Sequence, residues 1–135
     1  RQRRGGSVGE FLDADAWMFF DKMPRALPLY EAFVGKLRSK LDDVTIRVQK
    51  TQISFSNKHN FAFVSLPLRK VKGRPEVYII VSFGLDHQVM DPRIEVATEP
   101  YPNRWTHHVI VQSESEMDEQ LMDWIKQAYV FSLHK

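Results

Sequence analysis

The 135-residue chain contains no cysteine, which excludes a disulfide framework, a thiolate zinc site and a cysteine nucleophile. A chain without cysteine suits a reducing compartment, and a cytoplasmic location is expected. Long apolar runs are also missing. The longest, Val77 to Phe83, is interrupted by Tyr78 and Ser82 and falls far short of the roughly 20 residues a membrane-spanning helix needs. No membrane partner is expected. Residues 1–9 are basic and rich in glycine but lead into no apolar segment, so no signal peptide is expected, and residues 1–6 read as a flexible basic tail. The chain lacks G-x-G-x-x-G, the phosphate-cradling G-x-x-x-x-G-K, H-E-x-x-H and G-x-S-x-G, which removes the commonest nucleotide-binding, zinc-peptidase and serine-hydrolase readings. No cofactor, metal site or catalytic residue is expected.

What is present is enough apolar surface for one core. Hydrophobic residues are 43% of the chain and aromatic residues 12%, so burial can offset the backbone entropy lost on ordering. One α+β domain over residues 1–135 is expected. Ser7 and Glu10 have the S-x-x-E spacing of a helix start, and Pro24 and Pro28 punctuate two short helical pieces rich in aromatics. From Leu27 to Leu41 the residues Tyr30, Phe33, Val34, Leu37 and Leu41 recur at three- and four-residue steps, which predicts one amphipathic helix.

The period then changes to two. Val44, Ile46 and Val48 alternate with polar residues, whereas Ile53 and Phe55 fall on the other parity, so a bulge or bend is expected across Gln49 to Gln52 within one strand. Residues 61–68 and 76–83 read as strands apolar on both faces, hence central and covered on each side. A shorter strand near 93–97, a turn over 98–103 and a last strand over 105–111 follow. Ser113 to Glu116 repeats the helix-start spacing, and Met117, Leu121, Ile125 and Ala128 then recur at helical steps. The expected architecture is an antiparallel meander of about five strands, with N-terminal helices and one long C-terminal helix packed on it. If these helices leave one face bare, a homodimer is one way to cover it.

Charge is unevenly spread. Between Val44 and Pro75 the charged residues are Arg47, Lys50, Lys58, Arg69, Lys70, Lys72 and Arg74, with no Asp or Glu among them. Pairing residues 55 and 61 across a hairpin would set Lys50 level with Leu66 and Arg47 close to Arg69 and Lys70, a basic surface for an anionic ligand or nucleic acid. The blander reading of these cations is protection of sheet edges. Arg104, Trp105 and His107 form a second group able to frame an anion or a planar ligand, against a core role for Trp105. His107 and the adjacent His108 on one strand point to opposite faces and cannot share a metal. Asp86, His87 and Asp91 share a loop whose ordinary reading is a solvated turn.

Ser7-Val8-Gly9-Glu10-Phe11, Lys50-Thr51-Gln52-Ile53-Ser54-Phe55, Phe61-Ala62, Arg104-Trp105-Thr106-His107 and Trp124 to Tyr129 occur in an order that resembles the bacterial domain of unknown function family 5655, loosely labelled transport-protein-like. The resemblance implies a compact α+β accessory domain and brings no established reaction and no catalytic residues. The expected function is therefore a noncatalytic accessory or binding domain using Arg47, Lys50, Arg69, Lys70, Arg104, Trp105 and His107. The alternative is an enzyme of unrecognised type with a cleft lined by Asp86, His87, Asp91 or His107.

Overall fold

The computed structural model describes residues 14–67, 69 and 71–134. The helix start expected at Ser7 to Glu10, the tail over residues 1–6 and the side chain of Lys70 lie outside them.

The chain opens with α1 (Ala14–Phe19), followed by two 3₁₀ turns, Phe20–Lys22 and Pro24–Ala26. Met23, at φ −151° and ψ 71°, separates the turns, and Pro24 opens the second, where a missing N–H costs no hydrogen bond. In α2 (Leu27–Lys40) Pro28 occupies the first turn for the same reason, and Tyr30, Phe33, Val34 and Leu37 are buried along one stripe. Arg38 and Lys40 lie in its last turn, where the helix dipole favours cations.

Six antiparallel strands follow: β1 (Thr45–Val48), β2 (Ile53–Ser56), β3 (Asn60–Ser65), β4 (Ile79–Leu85), β5 (Ile94–Tyr101) and β6 (Arg104–Val111), in the order β1-β2-β3-β4-β6-β5. The count is six and not about five because the break expected at Gln49 to Gln52 is a complete hairpin turn. Val48 pairs with Ile53, and the Gln49 N–H donates to the Gln52 carbonyl at 2.8 Å. A chain that reverses restarts its alternation, and this accounts for the parity change. The bulge lies instead in β3, where Phe55 pairs with Ala62 and Ser56 with Asn60, leaving Phe61 as the extra residue. Phe61 thereby meets the ring of Tyr129 edge-on, with centroids 5.3 Å apart.

The strand order also departs from a meander. β6 inserts between β4 and β5, so the chain leaves β4, lays β5 at the edge and returns with β6 in the gap. β5 carries Glu95, Glu99 and Pro100 and is largely exposed, a composition that suits an edge, whereas β6 buries His107, Val109 and Val111 and takes partners on both sides. β5 continues through the expected turn to Tyr101. The reversal is confined to Pro102 and Asn103, and Asn103 adopts φ 60°, a conformation asparagine tolerates.

The capping box at Ser113 and Glu116 is present but caps only a 3₁₀ turn (Glu114–Glu116). α3 (Glu119–Leu133) starts three residues later, with the Asp118 carboxylate accepting the Leu121 N–H at 3.0 Å. Leu121, Ile125 and Ala128 are buried, and α3 packs on β3, β4 and α2. On the same side of the sheet, Ile53, Val64, Ile79, Val81, Phe83 and Val109 complete the core. β3 and β4 are central, as expected, but helices cover one face only. The other is roofed in part by described residues of the β3–β4 connection, among them Leu66, Arg69, Val71 and Arg74. Among the described residues no helix is long and apolar enough to cross a membrane.

Candidate functional site

The alternation of β4 and β6 sends one set of side chains to the helices and the other to the open face. Ile80 pairs with Ile110 and Ser82 with His108, and these four face away from the buried Ile79, Val81, Val109 and Val111. Here lies a cavity of about 490 Å³, floored by Ile80, His108 and Ile110. Leu66, Arg69, Val71 and Arg74 of the β3–β4 connection wall it on one side, Glu95 and Val96 of β5 on another. The lining is mostly apolar with a few polar groups, as small-ligand sites usually are. Val71 and Val96 remain exposed.

Polar groups of the cavity are unequally engaged. Arg74 Nη2 lies 3.5 Å from a Glu95 carboxylate oxygen, a long contact between partly exposed side chains, so little of its charge is consumed. The Tyr78 hydroxyl and the Glu95 carboxylate hold the Arg74 guanidinium still more firmly in its charged form. On the floor, Ser82 Oγ and His108 Nδ1 share a hydrogen bond at 2.7 Å, and burial depresses the His108 pKa. A hydroxyl beside an imidazole resembles half of a nucleophilic pair, but acyl transfer also needs free N–H groups at the oxyanion. Ser82 lies within a central strand laddered on both sides, which commits the backbone donors around it.

Of the basic residues singled out in the sequence, the structure gathers Arg69, Lys72 and Arg74 on the β3–β4 connection. Arg47 pairs with Ser54, which pairs with Phe63, so it does not approach Arg69 as expected. Lys50 sits in the β1–β2 turn, which lies beyond the Ile53–Val64 pair and so toward the level of Leu66, but it lines a hollow with Asp15, Met18 and Phe19. The departure of Arg47 follows from the hairpin that replaces the expected bend.

Arg104, Trp105 and His107 do not converge. The Arg104 guanidinium lies 5.1 Å from the Phe131 ring centroid at the sheet end, and Trp105 is half-buried opposite Leu85. His107 is fully buried, stacked on Phe83 at 5.0 Å, and its Nε2 accepts the Val89 N–H at 2.9 Å. Its Nδ1 lies by the Phe83 backbone without good hydrogen-bond geometry. His107 and His108 therefore do face opposite sides of the sheet.

The residues of the alternative cleft are dispersed as well. Asp86 and His87 pair at 2.7 Å on an exposed hollow near the end of α3. That contact lowers the Asp86 pKa. Asp91 accepts the Arg93 N–H at 2.9 Å and the Gln120 amide at 3.1 Å. Arg93 in turn grips Asp118 at 2.9 Å and the Glu116 carbonyl at 2.6 Å, tying β5 to the start of α3. The Leu121 N–H, then Arg93, depress the Asp118 pKa.

The two strand histidines carry a pH prediction. Burial lowers both below the ordinary value of 6.5, and for His107 the neighbouring His87 and His108 add to the shift. The native state thus binds fewer protons than the unfolded chain, and stability should be full above pH 6.5 and fall as pH drops through the window down to the depressed native values. The slope approaches about 1.4 kcal/mol per pH unit for each histidine. Asp86 and Asp118 contribute only at lower pH, because their ordinary value is 3.8. Urea denaturation between pH 7.5 and 5 should show this slope. His107→Leu should reduce it, leaving the His108 part, while losing about 1–3 kcal/mol at pH 7.5, since the Val89 N–H loses its acceptor. Stability independent of pH across that range would contradict the burial of neutral imidazoles.

The signal for the cavity was available in the sequence only as the second apolar face of β4, which pointed to coverage without saying by what. Glu95, Val96, His108 and Ile110 were not singled out as ligand contacts, because at least five segments of the chain line one cavity.

An antiparallel sheet with helices on one face and a partly roofed, open second face defines a small α+β domain. The chain belongs to the family described as Domain of unknown function (DUF5655), whose model matches residues 18–132. Comparison with curated proteins and with solved structures found no match.

Proposed function

We propose that the chain is a noncatalytic binding domain that takes a small anionic ligand with an apolar portion in the cavity beneath the β3–β4 connection. The observation that carries this reading is the joining of two arginines, Arg69 and Arg74, to an apolar floor of Ile80 and Ile110 in one cavity. Guanidinium groups bind carboxylate and phosphate through directed, charge-assisted hydrogen bonds. The apolar floor favours a ligand with a hydrocarbon part over a bare ion.

Calorimetric titration of the chain with octanoate, octyl phosphate and octanol at low and high salt tests this. The two anions should bind, octanol more weakly. Joint replacement Arg69→Glu and Arg74→Glu should weaken the anions by about tenfold or more, the worth of one charge-assisted hydrogen bond. Lys58→Glu, in the distant β2–β3 turn, should leave them unchanged. Failure of both anions to bind would refute the proposal. Salt-sensitive binding of heparin or single-stranded oligonucleotide, with no binding of either alkyl anion, would replace it with an extended polyanion surface.

A further inference from the structure

Adjoining the cavity along the same connection lies a hollow of about 370 Å³, with Arg69, Lys72, Arg74, Glu76 and Tyr78 in its walls. Tyr78 is 2% exposed, and its buried hydroxyl has no hydrogen-bond partner of good geometry. The Arg74 guanidinium beside it is a donor only, so the phenolic proton meets no acceptor. Buried hydroxyls are normally paired, and one whose proton meets no acceptor marks a place where an acceptor is missing. Three cations line it with one carboxylate, Glu76, which is exposed and turned to Arg25 at 3.8 Å, while Arg74 keeps its long contact with Glu95. Gly73, at φ 86°, allows the tight turn that brings Lys72 and Arg74 to one side.

We infer that this hollow is the oxyanion subsite of the ligand cavity, with Arg74 and Tyr78 donating to a phosphomonoester head while Arg69 and Lys72 flank it. The inference rests on the ligand-binding reading of the adjacent cavity. Arg69 and Arg74 belong to both spaces, so a head held by them leaves the apolar part free to lie over Ile80 and Ile110. A phosphate offers three terminal oxygens, enough for guanidinium, phenol and ammonium at once, whereas a carboxylate offers two. The Arg74 side chain shifts to admit the head, giving up its long contact with Glu95.

The test is Tyr78→Phe, which removes the hydroxyl and keeps the ring. Titrations use inorganic phosphate, octyl phosphate and octanoate. The wild-type chain should prefer octyl phosphate to octanoate, and inorganic phosphate should compete with octyl phosphate. Tyr78→Phe should weaken octyl phosphate about tenfold, change octanoate less, and leave the ligand-free chain about as stable as before, because the phenolic proton has no native acceptor. Competition by inorganic phosphate identifies the head as the recognised group; binding of octyl phosphate unaffected by it would overturn the subsite. So would affinity for octyl phosphate within twofold of wild type in Tyr78→Phe while Arg69→Glu with Arg74→Glu abolishes it, and in that case the cavity would still bind anions. Absence of binding by every alkyl anion would overturn both.

Discussion

Phe83→Ala should destabilise the folded chain by about 3–5 kcal/mol, the range for deleting a buried aromatic ring. Phe83 is fully buried on β4, with its ring stacked between His107, 5.0 Å away at 12°, and Trp124, 5.7 Å away at 21°. It is therefore the contact through which β4, β6 and α3 share one core. Neighbouring strands fix the backbone on both sides, so the space left cannot close by collapse, which places the loss toward the upper end of the range. A domain of this size has about 5–15 kcal/mol in hand, so the variant should remain folded in water with a much lower denaturation midpoint. Urea denaturation followed by tryptophan fluorescence measures it, since Trp124 reports on the same stack. A loss under about 1 kcal/mol would mean that the stack is not a packed element of the fold.

Ile125→Ala is the second large effect, about 2–5 kcal/mol. Ile125 is fully buried at the middle of α3, one helical step from Leu121 and from Ala128 on the face that packs against β3 and β4. Ala is the better helix former, so the loss measures tertiary packing alone. Lys126→Ala, exposed on the same helix, should stay within about 0.5 kcal/mol. Equal effects of the two replacements in chemical denaturation would show that the helix face is wrongly assigned.

The two long helices were legible because their apolar residues sit at intervals of three and four, a pattern only one local conformation can bury. Their ends were less so. Ser113 and Glu116 do form the expected capping box, yet α3 starts at Glu119, because Asp118 is itself a cap and Arg93, distant in sequence, holds it in place. The strands were legible as apolar runs, but Gln49 to Gln52 could be read as a kink or a reversal. No local preference distinguishes them; the pairing of Val48 with Ile53 does. The basic run was visible at once, while its partition was not. Arg69, Lys72 and Arg74 converge because one connection carries them, whereas Arg47, Lys50 and Lys58 are separated by turns.

By itself, the sequence determined that this chain makes one α+β core without disulfides, which apolar residues of the two long helices and the central strands enter that core, and that residues 44–75 carry cations with no Asp or Glu among them, since periodicity, composition and charge are local properties. Tertiary structure alone decided that β6 lies between β4 and β5, that His107 is a core residue and His108 a cavity residue, and that the Tyr78 hydroxyl is buried beside Arg74 without an acceptor. These are relations between segments far apart in the chain. They depend on which strands neighbour one another and on which sheet face the helices cover, and no local pattern of residues encodes either.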